Sequence, residues 1–104
     1  MLYADVINCS PSPQGREYMG HKAVTVNNRT CQAWTANSPH AHGMHNDNMF
    51  PESTVEDAQN YCRNPDNYAS GVWCYTTDPA VRWELCGVPL CGELTCCSIR
   101  VSVK

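Results

Sequence analysis

The sequence has a single phenylalanine in 104 residues, and its valines, leucines and isoleucines are too scattered to build a large core. No apolar run approaches the ~18 residues of a bilayer span. Basic side chains are scarce as well. Seven Lys and Arg stand against ten Asp and Glu, for a net charge of −3, and they form no stripe. Nucleic acid and anionic membrane are therefore poor partners. There is no Gly-x-Ser-x-Gly elbow, and the chain is too short for the two barrels of a trypsin-like protease, so no enzyme activity is expected. Neither an internal repeat nor a low-complexity tract is present.

What the chain does have is eight cysteines, seven prolines and six glycines, with many Asn, Ser and Thr. That composition makes loops and turns and leaves stability to cross-links. Cys62, Cys74 and Cys86 lie twelve residues apart and Cys91 follows five later, which is not the paired C-x2-C spacing of a zinc ribbon. Disulfides are the expected state, and with them an extracellular setting, either secreted or in the ectodomain of a membrane protein. No cofactor is called for. At this length one domain is expected, flanked by a leader over residues 1–8 and a tail over 92–104. The leader is too short and too acidic for a signal peptide, so the domain reads as a piece of a longer secreted protein.

Cys9 opens onto a turn-rich loop, Ser10-Pro11-Ser12-Pro13-Gln14-Gly15. Ala23-Val24-Thr25-Val26 is a short β-prone run that ends in the Asn27-Asn28 turn. Trp34, close behind Cys31, is the candidate centre of a small core, because indole and disulfide sulfur are both apolar and polarisable. Residues 35–60 are the least constrained, with room for one helical turn in 52–60. The organising stretch is 60–91, where four cysteines, two tryptophans and the turn sequences Asn64-Pro65-Asp66 and Asp78-Pro79 are packed together. In the tail, Ile99, Val101 and Val103 alternate like a strand, and Cys96 and Cys97 pair with a following domain, with another chain, or with nothing.

Several groups have a plain reading beside a functional one. Arg82 beside Trp83 suits a binding face, or simply covers the ring and pairs with Asp78 or Glu84. Asp66 suits a ligand site, or a turn in which its side chain caps backbone N–H groups. His40, His42 and His45 have metal-like residue types, but they sit in a loop with no acidic neighbours to orient them, and no metal is expected. Of two glycosylation sequons, Asn28-Arg29-Thr30 lies in a turn and is the better acceptor. Asn8-Cys9-Ser10 abuts a cysteine expected to be bridged.

The segments NYCRNPD from Asn60, WCYTTDP from Trp73 and VRWELC from Val81, with CQAW from Cys31, PHAH from Pro39 and Tyr18-x-Gly20, resemble a kringle domain. The resemblance runs from Cys9 to Cys91 and is closest to the plasminogen-like branch. It implies a small disulfide-rich fold, mostly irregular loops with short antiparallel β ribbons around crossed disulfides. The pairing it implies is Cys9–Cys91, Cys31–Cys74 and Cys62–Cys86. Cysteine count alone leaves on the order of a hundred pairings open. The outer bridge would close a loop worth about 4–5 kcal/mol by the chain-entropy model.

The resemblance also implies a ligand groove. Lysine-binding members hold the ammonium with two acids, the methylenes between aromatic walls and the carboxylate with a cation. Asp66 matches the first acid, Trp73 and Trp83 the walls, Tyr75 the floor and Arg82 the cation. Three positions depart. Tyr68 stands where the second acid belongs, Met44 about where an extra lysine can help, and Leu85 where an aromatic is common. Tyr68 offers a hydroxyl or a π face in exchange. PHAH implies scaffold histidines. The apolar residue usual before Asn-Tyr-Cys is missing, since Asp57 falls near there, so Val55 or Ala58 must fill the gap. The implied function is a non-catalytic module that docks a larger protein onto protein partners, through lysine side chains or C-terminal lysines, with a degenerate lysine groove. The alternatives are a spacer in a receptor ectodomain or a targeting module of a serine-protease zymogen.

Overall fold

A computed structural model describes residues 8–91. The expected leader, apart from Asn8, and the whole tail with Cys96, Cys97 and the Ile99–Val103 alternation lie outside the described residues.

Regular structure among the described residues is sparse, as a loop-forming composition requires. Two three-residue strands, β1 (Trp73–Tyr75) and β2 (Trp83–Leu85), pair antiparallel with Trp73 opposite Leu85 and Tyr75 opposite Trp83. Single-residue bridges join Arg63 to Trp73 and Cys31 to Thr76. β1 thus has neighbours on both edges, and all three of its residues are buried. The Ala23–Val26 run contributes one bridge, Val24 to Thr30, closed by a turn in which the Asn28 N–H donates to the Thr25 carbonyl at 2.8 Å. Asn28 takes φ +65°, a left-handed turn position that asparagine tolerates better than most residues.

The three disulfides are Cys9–Cys91, Cys31–Cys74 and Cys62–Cys86. The inner two cross at the centre, their four sulfurs within 4.8 Å of one another and fully enclosed. The outer bridge ties the ends together, and backbone bonds from Ser10 N–H to the Pro89 carbonyl (2.7 Å) and from Cys91 N–H to the Ser10 carbonyl (2.9 Å) reinforce it.

Trp34 lies beside this crossing with no exposed surface. Its ring meets Phe50, Trp73 and Tyr75 edge-on at 5.2, 5.2 and 5.8 Å, and its N–H donates to the Tyr61 carbonyl at 2.7 Å. The helical turn expected in 52–60 is a 3-10 turn, Glu56–Ala58, and a second one spans Asp47–Met49. Val55 and Ala58 are both buried while Asp57 faces out, so both apolar candidates close the gap left by Asp57.

One buried cation was not anticipated. Arg63, 1% exposed, pairs with Glu52 through Nε at 2.9 Å and through Nη2. Its Nη1 donates to the carbonyls of Gly20 (2.8 Å) and Cys62 (2.7 Å), and the guanidinium lies over the rings of Tyr18 and Tyr61. A buried charge is tolerable only when it is paired and hydrogen-bonded; the second Glu52 oxygen, Oε1, is buried without a hydrogen-bond partner.

Candidate functional site

Side chains two apart on a strand share a face, so Trp73 and Tyr75 point the same way from β1, and the ladder sets Trp83 of β2 against Tyr75. Together with Met44, Asp66, Tyr68 and Arg82 they line a cavity of about 240 Å³. All six residues expected to form the groove are in this lining, and Met44 joins them. Leu85 does not. It packs, partly buried, against the core.

The rings divide by burial. Trp73 and Tyr75, 4% and 6% exposed, form the base, whereas Trp83 and Tyr68, 41% and 39% exposed, stand up from it. Trp73 therefore lies lower than the wall expected of it, because Trp34 packs against it from beneath at 5.2 Å. Trp83 meets Tyr68 at 5.4 Å and 78°, and Trp73 at 5.9 Å and 70°. Edge-to-face contacts of this kind follow from the negative face and positive edge of each ring.

Asp66 is aimed by Trp73, whose indole N–H donates to Asp66 Oδ1 at 3.1 Å and to Asn64 Oδ1 at 3.2 Å. The turn-capping role considered for Asp66 belongs to Asn64 instead. Asn64 Oδ1 accepts the Tyr68 N–H at 2.7 Å, and its Nδ2 donates to the carbonyls of Gln14 and Tyr68. Asparagine at the first position of a turn does this readily, so Asn64-Pro65-Asp66 contained the signal.

Arg82 lies over the Tyr75 ring at 5.2 Å and donates to the Ala41 carbonyl at 2.9 Å. The surface pairing considered for it, with Asp78 or Glu84, is not made. Arg29, carried in by the Thr25–Arg29 turn, reaches Asp78 at 3.3 Å and Glu84 at 2.9 Å. Glu84 also accepts from Thr25 Oγ1 and Asn27 Nδ2, at 2.5 and 2.6 Å. These bonds, with Arg29 behind them, hold its carboxyl below its ordinary pKa. No signal in the sequence links Arg29 to residues some fifty positions away.

The histidines support the groove from behind. His40 is buried, trades two hydrogen bonds with Gln32 and places Nε2 3.0 Å from the Asp78 carbonyl. His42 stacks on Tyr75 at 4.4 Å and His45 on His42 at 4.3 Å. His42 Nδ1 accepts the Met44 N–H at 2.9 Å, and burial, then the neighbouring His45, pushes its pKa below the ordinary histidine value. Among the described residues, the group of metal-type ligands that does converge is Cys31, Cys62, Cys74 and Cys86, and these sulfurs are already in disulfides.

Crossed disulfides around a buried tryptophan, with a small aromatic cavity lined from the β1–β2 hairpin, define a disulfide-stapled module. The family model for the kringle domain matches residues 9–91, and the chain belongs to the kringle family. A Homo sapiens apolipoprotein(a)-like protein is 47% identical over 81 residues, covering 76% of this chain and 57% of that protein. The chain thus spans little more than half the length of this relative. Kringle domains are non-catalytic, disulfide-rich and in general protein-binding and extracellular. No helix among the described residues is long and apolar enough to cross a membrane.

Proposed function

We propose that this kringle is an extracellular docking module whose groove takes the charged end of a partner's side chain, such as a lysine or a C-terminal lysine. The observation that carries this reading is the joint presence of Asp66 and Arg82 in one aromatic cavity. An acid, a cation and apolar ring surface between them suit a zwitterion with a methylene chain. Tyr68 in place of a second acid weakens the site. One missing charged hydrogen-bond partner costs about 1.5–3 kcal/mol, roughly ten- to a hundredfold in affinity.

The test is a titration of the oxidised domain with 6-aminohexanoic acid, followed by tryptophan fluorescence, since Trp73 and Trp83 both line the cavity. A saturable change is expected, weakened about tenfold or more by Arg82→Ala. Failure to saturate in wild-type protein into the range of roughly tens of millimolar, a binding energy under ~3 kcal/mol, would retire the groove reading. The module would then serve as a rigid spacer.

A further inference from the structure

The cavity is lined by four aromatic rings and a single carboxylate, and Trp83 stands nearly perpendicular to two of those rings. Trp83 meets Tyr68 at 78° and Trp73 at 70°, with centroids 5.4 and 5.9 Å apart. Asp66 is the one acid in the lining. Its Oδ1 already accepts the Trp73 indole N–H at 3.1 Å. A primary ammonium settling against these rings brings three N–H donors and gives up part of its water for one partly occupied carboxylate and, at best, the Tyr68 hydroxyl. Donors left without partners after losing water weaken binding.

A quaternary ammonium has no such requirement. It has no N–H, is weakly hydrated, and spreads its charge over methyl groups that fit against ring faces. One nearby carboxylate balances its charge without having to satisfy separate donors. Tyr68, standing 39% exposed against Trp83, supplies a ring where an acid would have supplied an acceptor.

We propose that the groove prefers methylated, and above all quaternary, ammonium groups over primary ones, and that Tyr68 determines this preference. The ligand class is a small zwitterion with its trimethylammonium end at Tyr68, Trp73, Trp83 and Asp66 and its anionic end at Arg82. Arg82 gives one N–H to the Ala41 carbonyl and lies over Tyr75, and with five N–H donors its guanidinium has more to offer an anion at the cavity edge. This rests on the reading of the cavity as an ammonium site. Two sources share the chemistry, a trimethylated lysine and a choline phosphate.

The experiment titrates the oxidised domain in parallel with 6-aminohexanoate and 6-(trimethylammonio)hexanoate. Wild-type protein is expected to bind the trimethylated ligand about three- to tenfold tighter. Tyr68→Phe keeps the ring and the preference, whereas Tyr68→Asp restores an acceptor and reverses the order. Equal or tighter binding of the primary amine by wild-type protein overturns the preference and leaves the ammonium site standing. Binding of neither ligand overturns both. Free trimethyllysine and phosphocholine, titrated separately, distinguish the sources. Tighter binding of either than of 6-aminohexanoate supports the preference, and the tighter of the two names the source.

Discussion

Asp66 is held in the groove by a buried ring. Trp73, almost wholly enclosed, donates its indole N–H to Asp66 Oδ1 at 3.1 Å. The exposed carboxylate is thereby oriented by a side chain that is itself locked by Trp34 at 5.2 Å. A ligand meets a pre-set anion and pays little ordering entropy for it.

Asp66→Asn keeps an oxygen for the indole and removes the charge. The expected outcome is an unchanged melting temperature with affinity for 6-aminohexanoate reduced about tenfold or more, read by the same fluorescence titration. A large drop in melting temperature would instead assign Asp66 a structural role.

The ion pair between Arg63 and Glu52 makes the opposite prediction, a loss of stability without a direct contact to the groove. Glu52→Ala strands a guanidinium that is 1% exposed, and should destabilise by about 3–5 kcal/mol. Removing both charges, with Glu52→Leu and Arg63→Met, should recover much of that loss. Thermal melts under oxidising conditions measure both variants.

Acid should loosen the Arg29 cluster. Hydrogen bonds from Thr25 and Asn27, then Arg29, depress the Glu84 pKa below 4.5, and the Ala80 N–H and Arg29 depress that of Asp78 below 3.8. A depressed carboxyl favours folding above its unfolded pKa, and the contribution fades as pH falls through the lower folded value. Stability should therefore decline from about pH 4.5 downward, and Glu84→Gln should flatten part of that slope in acid denaturation curves. An unaltered slope would show that other carboxyls carry it.

Asn28 is the expected glycosylation site. It is exposed at a left-handed turn position, and Thr30 of its sequon is exposed too. Ser10 of the Asn8 sequon is buried, its hydroxyl donating to the Ser12 carbonyl at 2.6 Å. The Asn28 turn bonds to Glu84, whose side chain alternates with that of Trp83 along β2, so a glycan there leaves the groove open. Protein made through a secretory pathway should shift on glycosidase treatment, and Asn28→Gln, unlike Asn8→Gln, should abolish the shift. Ligand titrations should be the same before and after deglycosylation.

Much of this architecture was legible because short motifs carry it. CQAW places Trp34 at the crossing of two disulfides, and that is where it lies. The six residues of 66–83 that the family resemblance singled out line one cavity, because one hairpin and the turn before it present them together. The disulfide pairing became legible only through the resemblance to a family, since spacing alone left many pairings open. The partners of Arg82, Arg29 and Arg63 were not readable at all. A guanidinium on a flexible stem reaches whatever acid or carbonyl the fold brings near, and sequence distance does not encode that.

The sequence by itself determined that this chain is a stapled module. Few aliphatic residues and eight cysteines point to disulfide staples as what stabilises a domain of this size. Through the family resemblance it also singled out six residues that line the cavity. Only the tertiary structure decided their roles. Trp34 pushed Trp73 to the base, Asn64 took over the turn and left Asp66 free to face the cavity, and Arg29 claimed the acids that Arg82 would otherwise have met. Each outcome is a competition among groups distant in sequence for the same partner or the same space, and such competitions are settled only when the disulfides bring them together.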